Sequence, residues 1–161
     1  MQTVNDINWR NWEPQQRATL LFVVEPHRVL LIHKKRGLGA GNINGPGGRL
    51  ESSETPIEAA VREVQEELCI TPLEPEYSGE LFFQFTDGLS IHCTVFRSAS
   101  YKGIPQETDE AVPLWTDLDQ IPYDRMWADD RYWIPLMLAR TLFKGYFVFD
   151  AEAMLDYRID C

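Results

Sequence analysis

Within residues 47–70, GGRLESSETPIEAAVREVQEELCI, the side chains of Glu63, Glu66 and Glu67 recur at i, i+3 and i+4, a spacing that gathers them on one face of a helix. Three ionised carboxylates so placed repel one another, each exposed pair costing about a few tenths of a kcal/mol. The arrangement is therefore either a solvated acidic face or a place where positive charge is gathered. Hard divalent cations such as Mg²⁺ take carboxylate oxygens and bridge to phosphates. Just upstream, residues 36–48, RGLGAGNINGPGG, hold six glycines and a proline among thirteen positions. Glycine lets a backbone turn sharply and come close to a ligand. A carboxylate face beside such a loop has the make-up of a metal-diphosphate site.

The elements that must position these groups are legible around them. Thr55, Pro56 and Glu58 form an N-cap, a first-turn proline and a Thr-x-x-Glu capping box. From there Ile57, Val61, Val64 and Leu68 fall on one stripe of a helical wheel, predicted to face the core, and the three glutamates form a separate face. Residues 20–24 and 29–32 are apolar and β-rich around a short EPHR turn, which predicts a hairpin; residues 81–85 and 91–96 flank Asp87-Gly88 and predict a second. Residues 112–115 could form a further strand. Residues 129–143, DDRYWIPLMLARTLF, read as a second helix with an acidic N-terminal cap and a proline several residues in. GYFVFD and MLDYRID close the chain as two short strands. The class is α+β, a mixed sheet with two helices, and at 161 residues one domain spanning residues 1–161 is expected.

Composition narrows the function classes. A formal charge of −10 opposes binding to a polynucleotide, which needs a basic surface, but a small phosphorylated ligand is acceptable where metal cations supply positive charge. No segment has the apolar length of a membrane span, and the N-terminal residues lack a signal-peptide core, so a cytoplasmic protein is expected. Cys69, Cys93 and Cys161 are too scattered for a disulfide framework or a zinc site and are expected as free thiols.

The segment around the glutamates resembles the Nudix box, G-x5-E-x7-R-E-U-x-E-E-x-G-U with U apolar. Gly48, Glu54, Arg62, Glu63, Val64, Glu66, Glu67 and Ile70 match, and Cys69 stands where the family has glycine. That exchange falls at the helix end, where a left-handed cap costs a non-glycine residue on the order of 1 kcal/mol. The resemblance implies the Nudix fold, a mixed sheet sandwiched by α-helices, and metal-dependent hydrolysis with Mg²⁺ or Mn²⁺. It implies metal ligands at Glu63, Glu66 and Glu67 and at a glycine-loop carbonyl, here Gly47, with Gly48 beside it against the substrate. Glu54 and Arg62 would be an ion pair tying loop to helix. Glu67, or a later carboxylate, would be the general base.

Beyond the box, KKRGLGAGNINGPGG, ETDEAVPLW, LDQIPYDRMWADDRYWIPLML and KGYFVF resemble the eukaryotic 8-oxo-dGTP diphosphatase subgroup, the nucleotide-pool sanitising Nudix hydrolases. That implies Glu110 as a further metal and catalytic carboxylate, with Glu63 and Glu67. It implies substrate contacts from Asn44, Lys34, Thr19, Trp127, Asp129 and Asp130. Each has a plainer alternative: Asn44 as a turn residue, Lys34 and Thr19 as ordinary strand positions, Trp127 as core, the aspartates as helix caps, Glu110 as a solvated loop acid. In an enclosed pocket two aspartates resist ionising together, so one is expected to keep a proton near neutral pH and donate to the purine while the other accepts. Leu38 and Ile91 replace an aromatic residue and a methionine of the subgroup's pocket wall, which weakens the case for strict preference for oxidised purines. The alternatives are a Nudix hydrolase of a dinucleoside polyphosphate or nucleotide sugar, and a non-catalytic nucleotide sensor. A monomer acting on a small nucleotide, with neither nucleic-acid polymer nor membrane as partner, is expected.

Overall fold

The computed structural model describes residues 3–161. Eleven strands are present: β1 (Gln16–Val23), β2 (Arg28–Lys34), β3 (Ile43–Asn44), β4 (Gly47–Arg49), β5 (Thr71–Leu73), β6 (Glu76–Phe85), β7 (Ser90–Ser98), β8 (Ser100–Lys102), β9 (Ala111–Asp117), β10 (Phe143–Asp150) and β11 (Ala153–Asp160), with helices α1 (Pro56–Leu68) and α2 (Asp130–Leu138). Six strands form a mixed sheet in the order β11-β10-β6-β7-β1-β4; β3-β2-β9 and β5-β8 form two smaller sheets. The β1–β7 and β6–β10 pairs are parallel, and the remaining neighbours of the large sheet are antiparallel.

The alternation of β1 shows why the helices sandwich the sheet. Phe22 packs in one core with Leu81, Val95, Phe147 and the α2 residues Trp133, Ile134 and Met137. Leu21 and Val23 point the other way, into a second core with Ala60, Val64 and Leu68 of α1. Successive strand residues face opposite sides of a sheet, so one strand feeds both layers.

Two expectations are corrected. Residues 20–24 and 29–32 are strands but not a hairpin: beyond a single bridge between Val24 and Val29 they diverge, β1 into the large sheet and β2 into the three-stranded one. An apolar run buried on both faces advertises burial without naming its partner. On α1 the core stripe runs through Ala60, Val64 and Leu68, while Ile57, in the first turn, is 41% exposed. Small alanines let the helix sit close to β1, and the larger apolar side chain turns out at the rim.

Other features follow the sequence. Thr55 Oγ1 accepts from the Glu58 amide and a Glu58 carboxylate oxygen accepts from the Thr55 amide, at 3.3 and 2.9 Å. Cys69 adopts the left-handed conformation (φ 62°, ψ 27°) and its amide closes the helix onto Gln65. β6 and β7 form the second hairpin, β10 and β11 pair antiparallel, and the three cysteines are free. α2 is shorter than the sequence pattern, ending at Leu138; the buried Arg97 guanidinium donates to the carbonyls of Met137 and Leu138, satisfying helix-end acceptors. Among the described residues no helix is long and apolar enough to cross a membrane.

Candidate active site

The antiparallel pairing of β1 with β4 sets Thr19 opposite Gly48 and Leu20 opposite Gly47. A Cβ at Gly47 would lie 2.0 Å from the Thr19 carbonyl oxygen, and one at Gly48 would lie 2.4 Å from the carboxyl carbon of Glu63. Glycine is thus required here by close approach. It allows α1 to bring its carboxylates directly onto the edge strand of the sheet.

The Glu67 side chain is 3% exposed, and its Oε1 accepts from the Gly47 amide at 2.8 Å. Glu110 reaches the same place from the segment before β9. Thr108 ties that segment to α1, its hydroxyl donating to the Glu67 carbonyl at 2.8 Å and accepting from the Glu110 amide at 3.2 Å. Carboxylate oxygens of Glu63, Glu67 and Glu110 lie within 4.8 Å of one another. Burial pushes the Glu67 carboxyl up to about 8, with the charges of Glu63 and Glu110 adding to it and the Gly47 amide opposing. Burial also raises Glu63, against the pull of Arg62. Three oxygen donors converging without a full counter-charge fit a hard divalent cation, and the absence of thiolate or imidazole among them fits magnesium or manganese better than zinc.

Glu66 is placed apart from these three. It is exposed and accepts from Arg62 Nη1 at 3.3 Å. Arg62 is the hub behind the trio: it holds Glu54 through two hydrogen bonds of 2.6 and 2.8 Å, touches Glu63 at 3.0 Å, and donates to the Arg49 carbonyl at 3.1 Å. The Arg62 hydrogen bonds hold the Glu54 carboxyl down at about 2. The pair therefore joins the loop to the helix, as the sequence implies.

A cavity of about 740 Å³ opens onto the trio. Its lining includes Glu63, Glu67, Glu110, Gly47, Gly48, Thr19, Lys34, Asn44, Trp127, Asp129 and Asp130, so all the expected site residues but Glu66 share one concavity. Lys34 Nζ donates to the Leu38 carbonyl at 2.6 Å, and Asn44 Nδ2 donates to the Asn42 carbonyl at 3.2 Å. The Thr19 hydroxyl is buried, 3.5 Å from the Gly48 carbonyl. Trp127 stands edge-on to Phe85 and Phe149, with ring centres at 6.3 and 5.6 Å.

Asp129 and Asp130 are 2% and 7% exposed. The Asp129 side chain does not cap α2; its Oδ2 accepts from the buried Trp133 Nε1–H at 2.8 Å. Burial raises both carboxyls, Asp130 further because the Asp129 charge and a hydrogen bond to it favour its protonated form. Two buried carboxyls side by side disfavour ionising together, an environment that fits one proton held between them.

Ile91 lines the cavity, where the resemblance puts it. Other walls went unannounced: Phe83, Phe85, Leu89 and Cys93 line it from the β6–β7 hairpin, and Arg36 lies 3.6 Å from Glu110. The alternation of residues 81, 83 and 85 with 91 and 93 signals one common face, but only strand pairing shows that this face is the pocket. Leu38 sits at the mouth, 53% exposed.

The comparisons with known proteins agree with this geometry. Residues 14–137 match the NUDIX domain model. The chain is 44% identical over 146 residues to the oxidized purine nucleoside triphosphate hydrolase of Danio rerio, covering 88% of this chain and 92% of that protein. It is 39% identical over 145 residues to the protein of the same name in Mus musculus, at the same coverage. Among solved structures, the MutT protein of Bacillus halodurans superposes with a TM-score of 0.80 at 28% identity, covering 90% of this chain and 97% of that one. With Gly48, Glu63 and Glu67 of the box at one cavity and the domain matched over most of the chain, the chain belongs to the Nudix family.

Proposed function

We propose that this protein hydrolyses purine nucleoside triphosphates, oxidised ones such as 8-oxo-dGTP foremost, to the nucleoside monophosphate and pyrophosphate, and so sanitises the nucleotide pool. The observation that carries the reading is that one cavity holds both a carboxylate trio suited to a metal-bound polyphosphate and a buried aspartate pair suited to a purine edge. The names of the Danio rerio and Mus musculus relatives support the same substrate class.

Nudix hydrolases use a divalent metal. Here Glu63, Glu67 and Glu110 would hold Mg²⁺ or Mn²⁺, with the Gly47 carbonyl beside them; Glu66 would join only by leaving Arg62. When bound, the cation offsets charge on phosphoryl oxygens and acidifies water. The chain's own groups do the rest. Arg62 anchors the base of α1 through Glu54, and the Gly47 amide orients Glu67. Glu67 or Glu110 takes the proton of the attacking water. Trp127 offers a ring face to the base, Asn44 a polar contact on the sugar side, and Lys34, Thr19 and Gly48 line the path of the nucleotide. A guanine edge presents donors at N1 and N2 and an acceptor at O6, so it meets an ionised and a protonated carboxyl together. Moving that one proton accommodates an oxidised adenine. The protein acts as a monomer on free cytoplasmic nucleotides; its charge of −10 disfavours polynucleotides.

The test is hydrolysis of 8-oxo-dGTP, 2-hydroxy-dATP, dGTP and dATP with Mg²⁺, following pyrophosphate against orthophosphate, with Glu67→Gln as control. Preferred turnover of an oxidised purine with pyrophosphate release is expected. Negligible turnover of all four by the intact protein would overturn the assignment.

A further inference from the structure

The segment ahead of β1, most of which precedes the family match at residue 14, lies across the large sheet. Its start is fixed to β11, where the Val4 amide donates to Asp156 at 2.7 Å. Trp9 and Trp12 pack on each other with ring centres 5.2 Å apart, Trp9 on Tyr146 at 5.1 Å and Trp12 on Phe82 at 5.9 Å. Phe82 and Gln84 alternate along β6 with Phe83 and Phe85, which line the cavity. The tryptophans therefore sit behind the pocket wall, on the sheet face away from it.

The segment is also hydrogen-bonded to that wall on both strands. Trp12 Nε1–H donates to Gln84 Oε1 at 2.8 Å. Indole N–H can only donate, which fixes the amide: Gln84 Nε2 then donates to the carbonyls of Phe85 and Leu89 at 2.9 and 3.3 Å. On the other strand the Gln15 amide donates to the carbonyl and hydroxyl of Ser90, at 3.1 and 2.9 Å. The clipped residues are the hairpin end itself. Phe85 and Leu89 line the cavity, and Phe85 abuts Trp127.

We propose that residues 4–15 are a strap that sets the width of the base pocket, with Trp12 a positioning residue that acts through Gln84 on the Phe85 and Leu89 wall. Backbone pairing to β10 holds β6 as far as Phe85 and the Thr86 amide, which donates to the Phe149 carbonyl; the strap adds two polar clips and an aromatic backing where that pairing ends, at the β6–β7 turn. Specificity follows, because the distance between the hairpin wall and Trp127 decides which ring the pocket accepts. The inference rests on the purine-triphosphate reading.

The experiment compares Trp12→Phe, which keeps aromatic packing but lacks the N–H donor, with Gln84→Met and the double variant. Wild-type turnover of purine triphosphates tests the underlying reading separately. For Trp12→Phe we expect KM for the preferred purine triphosphate to rise about 3- to 10-fold, the equivalent of one neutral hydrogen bond. We expect kcat and Mn²⁺ affinity, followed by paramagnetic resonance, within twofold of wild type, and faster amide exchange at residues 85–89. Because Trp12 acts through Gln84, the double variant should be no worse than Gln84→Met. Unchanged KM and exchange would overturn the proposal, as would equal losses in KM, kcat and Mn²⁺ affinity, which signal general loosening. If the wild type turns over no purine triphosphate, that reading fails, and exchange at residues 85–89 alone decides whether the strap holds the wall.

Discussion

Gly48→Ala isolates the contact on which the candidate metal site turns. A methyl at this position would lie 2.4 Å from the Glu63 carboxyl carbon and 2.5 and 2.7 Å from its oxygens, where ordinary contact begins at 3.4 Å. The carboxylate must therefore shift by about 1 Å, which disturbs the arrangement in which its oxygen lies within 4.8 Å of those of Glu67 and Glu110. The chain bends no further, since Gly48 is not in the left-handed region. A misplacement of about 1 Å at a catalytic group costs on the order of 100-fold in rate. We expect kcat/KM to fall by about that factor and Mn²⁺ affinity to fall with it, at a stability loss under about 1 kcal/mol, because only the end of a flexible side chain is displaced. The matched control is Gly88→Ala. Gly88 has φ +102° with nothing within 4 Å of the added methyl, so it should lose about 1 kcal/mol of stability to backbone strain and leave Mn²⁺ affinity intact. Isothermal titration with Mn²⁺, hydrolysis rates and urea melts read the three quantities. If Gly48→Ala bound Mn²⁺ and turned over substrate within twofold of wild type, the placement of Glu63 against β4 would not matter to the chemistry.

Two further outcomes follow from buried carboxyls. The folded pKa of Glu67 is about 8 against 4.5 in its absence of burial, so without metal its contribution favours the fold at low pH and is lost as pH rises through that window; the melting increment given by Mg²⁺ should accordingly be larger at pH 8 than at pH 6, and equal increments would contradict the burial argument. In the acid pair, Asp130→Asn substitutes a neutral amide for a carboxyl whose charged form burial and the Asp129 charge disfavour, whereas Asp129→Asn replaces the carboxylate that accepts from Trp133. Asp129→Asn should therefore destabilise more, by about 1 kcal/mol, while both variants shift the ratio of turnover between purine substrates; unchanged ratios in both would remove the pair from base recognition.

The parts legible in the chain are those whose information is local. A capping box, a proline at the helix start and a charge pattern with period 3.6 specify α1 and the face its glutamates share, because neighbouring residues in a helix are neighbours in space. The β6–β7 and β10–β11 hairpins are legible because their strands are neighbours along the chain, while the Glu54–Arg62 pair is legible only through the family resemblance. Tertiary structure decided what depends on distant pairings. The parallel pairing of β1 with β7 separates β1 from β2, which hydropathy alone joins. The approach of β4 to α1, set by the β1 register, selects Glu63 and Glu67 and brings in Glu110, while Glu66 turns to Arg62. Asp129 has a helix cap as its plainer reading in sequence; in the fold its side chain caps nothing and accepts from the buried Trp133 instead. Trp9 and Trp12 carry no recognisable motif; their place behind the pocket wall exists only because β6, β7 and β10 lie side by side, bringing together residues more than sixty positions apart in the chain.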